Sequence, residues 1–143
     1  MKFNLVLPSQ IEADWERIGA TLTPAIAYDH KRQAIDVYRD LINGDMALFD
    51  IDIENAKGIA VIEFGRADDG QECCWIIYIA GKIAGKPREW VGRVRALMTY
   101  FETIARANAC KQMRIEGRDW SRVFHDWTPV EVQSGVNELM RLL

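Results

Sequence analysis

Between residues 79 and 98 the chain reads IAGKIAGKPREWVGRVRALM, where Lys82, Lys86, Arg88, Arg93 and Arg95 stand against Glu89 alone. That is a local charge of +4 in a chain whose formal net charge is −3, which leaves −7 for the remaining residues. Such a stretch attracts an anion. Gly81 and Gly85 allow close backbone approach, and Pro87 suits the first turn of a helix, whose amino end adds a positive dipole. Two readings fit these residues: a loop that holds phosphate groups, or a solvated basic connection between a strand and a helix.

The other reactive side chains say less. Cys73, Cys74 and Cys110 are odd in number and lack CxxC spacing, so neither a disulfide framework nor a zinc site is expected. They read as small buried hydrophobes. Trp90, Trp120 and Trp127 read as core edges rather than a binding platform. A net charge of −3 argues against a nucleic-acid binder. No apolar run approaches the roughly 20 residues that span a bilayer, and the start, MKFNLVLPSQIEADW, turns polar too early for a signal peptide, so a cytoplasmic protein is expected.

The elements that position these residues follow from periodicity. With 143 residues, 49% of them hydrophobic, one domain spanning 1–143 is expected. KFNLVL reads as an opening strand ended by Pro8. Ser9 and Glu12 have capping-box spacing ahead of a helix carrying Trp15, Ile18 and Leu22, which Pro24 should end or kink. A second helix fits residues 30–43, capped by Asp29, stopped at Gly44, with Ile35, Tyr38, Leu41 and Ile42 inward. MALFDIDI, GIAVIEFG and ECCWIIYIA then read as an antiparallel meander; the third, apolar almost throughout, belongs at the sheet's centre. From Pro87, apolar residues from Val91 to Ala105 mark a helix to about Asn108. KQMRIEG is the next strand, RDWSRVFHDW a short helix or helical turn, and the remainder reads as two strands.

This α+β order, β-α-α-β-β-β-α-β-α-β-β, resembles the GNAT (GCN5-related N-acetyltransferase) fold over essentially the whole chain. ECCWIIYIAGK stands where that family has its central fourth strand and following loop, and WVGRVRALMTYFETIARANACKQMRIEGR where it has the cofactor-side helix and fifth strand. RIEGRDWSRVFHDW is similar to the Gly-Arg-x-x-Trp-x-x-Val/Leu pattern of small GNAT-like proteins of bacteriophages and prophages.

The resemblance implies acetyl-CoA as cofactor, held as an anionic ligand at Ala80, Gly81, Lys82, Gly85, Lys86 and Arg88. The family's Gly-x-Gly is absent here, and Pro87 removes one N–H from the cradle. It further implies a carboxylate base on the central strands, for which Glu63 and Glu72 are the candidates. Ile62 and Phe64 flank Glu63, and partial burial would raise its pKa. Phe124 stands about where the family has a tyrosine acid and cannot donate a proton; His125 and Tyr78 can. Two functions follow from the resemblance: an N-acetyltransferase, or a non-catalytic GNAT-fold component in phage assembly or host interaction, with a phage or host protein as partner.

Overall fold

The computed structural model describes residues 2–29, 31–53, 56–81, 87–117, 120–121, 123–130 and 137–143. Seven strands form one sheet: β1 (Lys2–Val6), β2 (Ala47–Ile53), β3 (Ala56–Arg66), β4 (Glu72–Gly81), β5 (Gln112–Gly117), β6 (Thr128–Pro129) and β7 (Asn137–Leu142). Their order is β1-β2-β3-β4-β5-β7-β6, so the apolar run at Glu72–Gly81 is the middle strand, as its composition predicts. All neighbours are antiparallel except β4 and β5, whose parallel pairing requires a crossover helix. That helix is α4 (Pro87–Ala107).

Alternation along the strands divides the core in two. Phe49, Ala60, Ile62, Cys74 and Ile76 pack on the α4 side with Val94, Leu97, Met98 and Phe101. Leu48, Ile59 and Val61 pack on the other side against α1 (Pro8–Ala13), α2 (Trp15–Asp29) and α3 (Ala34–Asn43), through Ile11, Leu22, Ile26, Val37 and Leu41. Fully burying such a side chain contributes roughly 1.5–3 kcal/mol, so both faces of β4 are anchored. This is the expected GNAT-like α+β architecture. Among the described residues, no helix is long and apolar enough to cross a membrane.

Local details depart from expectation. The first helix is capped not at Ser9 but at Leu7, whose N–H is held by the Gln10 side chain at 3.0 Å while Pro8 takes the first turn. It breaks at Asp14 into α1 and α2, because Asp14 leaves helical geometry and its carbonyl restarts the ladder at Ile18. Pro24 sits inside α2 without ending it. The third helix starts at Ala34 with Gln33, not Asp29, at its cap. It buries Val37 and Leu41 and leaves the expected inward residue Ile35 exposed. Gly44 ends it in the left-handed region, φ +80°, as its place after the helix predicts. The stretch 118–127, expected as a short helix or helical turn, takes the second form among its described residues: Val123 and Phe124 bond back to the Trp120 carbonyl and Trp127 to Phe124. The chain end is strand β7.

Candidate functional site: the divergence of two parallel strands

β4 and β5 hydrogen-bond through four register pairs, from Cys73–Gln112 to Ile76–Ile115. There the ladder stops, although β4 runs on to Gly81 and β5 to Gly117. The cause lies in β4. On its β3 side Ile62 faces Ile76 and Val61 faces Tyr78, so Ile77 is a surplus residue, a bulge one position beyond the last β4–β5 pair. A bulge bends its strand and increases local twist. It also breaks alternation: Ile77 and Tyr78 both pack with the α1–α3 core, while Ile76 and Ile79 pack with the α4 core.

Beyond the bulge, Tyr78–Gly81 pair with β3 alone. Among the described residues no backbone hydrogen bond reaches this stretch from the β5 side. Ile77, Tyr78, Ile79 and Ala80 are buried, and among the described residues the outward N–H and C=O groups of Tyr78–Ala80 have no strand partner on the side that β5 has left. An extended ligand bearing amides satisfies such an edge. The edge ends at Gly81, where φ is +109° and an added Cβ would lie 2.7 Å from the Gly58 Cα and 2.8 Å from the Lys57 carbonyl oxygen. Only glycine fits there. Lys82, Gly85 and Lys86 lie outside the described residues, as does the side chain of Arg88; the Arg88 backbone belongs to the first turn of α4.

On the α1–α3 face, charged groups span the divergence. Arg32, between α2 and α3, bonds the Tyr78 side chain on β4 and places Nη1 3.2 Å from Glu116 Oε1 on β5. Lys31 Nζ lies 3.3 Å from Glu116 Oε2. Burial works against the Arg32 charge, but the bond to Tyr78 and the field of Glu116 more than compensate and hold its pKa above the ordinary arginine value. Glu63 on β3 shares this neighbourhood. Burial pushes its pKa above the usual glutamate value, Arg32 opposes, and Asp40, Glu116 and Asp45 push the same way as burial. The arrangement therefore supplies a carboxylate whose pKa burial raises, and a phenol bonded to the guanidinium whose field that carboxylate feels.

The other candidates are placed elsewhere. Glu72 opens β4 at the far end of its paired half and binds Arg66 Nε at 2.9 Å. His125 lies on the α4 side in a hollow of about 290 Å³ with Met98, Phe124 and Arg141. Arg95 Nη2 approaches its Nδ1 at 3.2 Å. Phe124 is buried, its ring 5.9 Å from that of Trp120 and 5.1 Å from that of Trp127. Burial also pushes the Cys73 and Cys74 thiols up to about 12, which leaves them inert.

Sequence reasoning missed Arg32, Lys31 and Glu116. One signal existed: in QMRIEG the apolar Met113 and Ile115 alternate with Gln112, Arg114 and Glu116, and all five are buried. A strand with a buried polar face implies partners from elsewhere in the chain.

No family model matches the sequence, and no curated protein does. Solved structures are similar over nearly the whole length. A GNAT-family acetyltransferase from Listeria monocytogenes aligns with 99% of this chain and 94% of its own at 12% identity and a TM-score of 0.61. FeeM, an N-acyl amino acid synthase from uncultured soil microbes, covers 99% and 95% at 13% identity, with a TM-score of 0.65. A chain of the NatC complex bound to Gag peptide and CoA covers 100% and 99% at 11% identity, with a TM-score of 0.59. At such identities the likeness is one of fold.

Proposed function

We propose that this protein is an acyl-CoA-dependent N-acyltransferase, with acetyl-CoA as donor, working where β4 leaves β5. The observation that carries the reading is the unpaired edge Ile77–Gly81, which begins at a bulge and leads toward the amino end of the 21-residue helix α4. A pantetheine arm carries two amides and ends in a thiol, so it suits an edge of unpaired backbone groups, and a pyrophosphate suits a helix amino end. In this reading the backbone of Ala80 and Gly81 binds the arm, and Lys82, Gly85, Lys86 and Arg88 hold the phosphates. Solved GNAT-fold acetyltransferases, one of them in a complex bound to CoA, support it by their likeness of fold.

The thioester supplies an activated acyl carbon. Glu63 takes the proton that the acceptor amine loses as its nitrogen bonds to that carbon, and its raised pKa matches this role. Tyr78, bonded to Arg32, gives the departing thiolate sulfur its proton as the carbon–sulfur bond breaks. Tyr78 rather than His125 takes the acid role because it sits on the free half of β4, whereas His125 lies across the sheet from Glu63.

Calorimetry of the full chain with millimolar acetyl-CoA at low salt tests the reading. Binding should appear as heat and a rise in melting temperature, weakened by about tenfold or less in Lys82→Ala or Lys86→Ala, as for exposed charges. Absence of both heat and thermal shift overturns it in favour of a non-catalytic assembly or host-interaction component, the reading favoured by the buried phenyl ring at position 124.

A further inference from the structure

A second hollow adjoins the end of the diverging edge at Ala80 and Gly81. It is a cleft of about 940 Å³ between α2 and the ends of β1, β2, β3 and β4, on the α1–α3 face. Along these strands the sheet changes character. The row Val6, Leu48, Val61 is apolar and packed; beyond it, Asn4 faces Asp50, and beyond that Lys2 faces Asp52 and Asp52 faces Lys57. Neighbouring strands are about 4.8 Å apart, so charges of opposite sign recur at that spacing across the floor.

These charges do not neutralise one another. Among the described residues Lys2, Asp52 and Lys57 make no hydrogen bond or ion pair, and Asp50 has only Arg17 of α2, at 3.9 Å. Such groups normally point into open water, but here α2 forms a roof. Ala20, Thr21, Pro24 and Ala25 line it, and their small side chains leave room between helix and sheet. Pro24 adds a further feature. It has no N–H to give the Ala20 carbonyl, so α2 carries, beside the cleft, an acceptor without its helical donor. Next to the charges, Ile59 and Ala80 supply an apolar patch.

We infer that this cleft binds a small zwitterion bearing a free ammonium and a free carboxylate, of amino-acid to dipeptide size. The ammonium lies against Asp50, Asp52 and the Ala20 carbonyl, and the carboxylate against Lys57, Lys2 or Arg17. Opposed charges at strand spacing match a ligand that carries both signs within a few ångströms. A simple anion would meet Asp50 and Asp52, and a simple cation would meet three positive side chains. The inference goes beyond the acyl-transfer reading and needs no CoA.

The test is a ¹⁵N NMR titration of the full chain, without CoA, at low salt. Alanine and alanyl-alanine are the two probes, each compared with its N-acetyl and C-terminal amide derivatives. A free zwitterion should produce saturable shifts at Gly58, Ile59 and Ala80, and removing either charge should weaken binding roughly tenfold, the scale of one charge-assisted hydrogen bond. Asp52→Asn and Lys57→Gln should each weaken it similarly with melting temperature unchanged, since both side chains reach solvent. The stronger of the two probes identifies the source. The inference is overturned if neither shifts these residues, if the N-acetyl form binds as well as the free form, or if a folded Asp52→Asn binds undiminished. The titration is run without CoA and the calorimetry without zwitterion, so each reading fails or stands on its own measurement although both ligands approach Ala80 and Gly81.

Discussion

The two halves of β4 share one continuous apolar sequence and have opposite fates. From Cys73 to Ile76 the strand is hydrogen-bonded on both edges, to β3 and to β5. From Tyr78 to Gly81, past the bulge at Ile77, it is bonded on one. The first half holds two thiols that burial keeps protonated, and Trp75, whose Nε1 gives a hydrogen bond to Glu138 at 3.0 Å. The second holds a phenol in contact with a guanidinium and an edge with unpaired backbone groups. Burial is similar in both, so burial does not distinguish a structural from a functional half. What distinguishes them is whether the backbone's hydrogen bonds are closed within the protein.

Substitutions that separate the halves should show it. The largest effect is expected from Glu63→Gln, since Glu63 faces Trp75 across the β3–β4 ladder and feels the field of the Arg32 bonded to Tyr78. Loss of a general base costs 10²–10⁴-fold in rate, and a half-buried polar strand residue contributes little to packing, so melting should change little. Because burial raises the Glu63 pKa, the wild-type rate should climb with pH through a midpoint above the ordinary glutamate value, and that limb should be missing from the variant. A pH–rate profile measured with an amine panel decides the matter; an active Glu63→Gln enzyme with an unaltered profile removes Glu63 as base.

Next come the paired truncations. Ile76→Ala, in the closed half and fully buried, should cost about 2–5 kcal/mol in urea unfolding. Tyr78→Phe removes one hydroxyl bonded to Arg32 and should cost only about 1 kcal/mol, while slowing turnover far more than its stability loss explains. Equal rates in Tyr78→Phe and wild type would return the acid role to another group.

The thiols of the closed half should resist alkylation in the native state at pH 8 and react on unfolding. Their folded pKa of about 12 lies above the unfolded value near 8.5. The unfolded state therefore loses its protons first, and stability should fall as pH rises from about 9 toward 12. Urea midpoints across that range, compared with Cys73→Ala, measure the slope. The smallest effect is expected from Glu72→Gln. Its ion pair with Arg66 is exposed, and such pairs contribute roughly 0–1 kcal/mol, so neither rate nor melting should move appreciably.

Much of the frame was legible. The strands near 46–53, 58–65 and 72–80, the helix from Pro87 and the strand at KQMRIEG follow from periods of 2 and 3.6, and Gly44 from its place after a helix. The aromatic stretch before Thr128 was legible only as a pair of alternatives, short helix or helical turn. Trp120, Phe124 and Trp127 recur at helical spacing, yet burying all three rings against α4 and the sheet is achieved by turns. Pro24 was misleading because a proline removes one bond from a helix, and packing of Ile18, Leu22 and Ile26 outweighs that loss.

Residue order by itself therefore determined the succession of elements, the central position of β4 and the basic stretch ahead of α4, since local sterics and hydrophobic period act between near neighbours. The tertiary structure decided the rest. No glycine or proline in CCWIIYIA marks Ile77 as surplus; the bulge shows only in the register of β4 against β3. Arg32 meets Glu116 across 84 residues, and Lys2, Asp52 and Lys57 meet across three strands. Such encounters depend on register and on which faces the helices cover, and both are set only when the whole sheet has closed its hydrogen bonds.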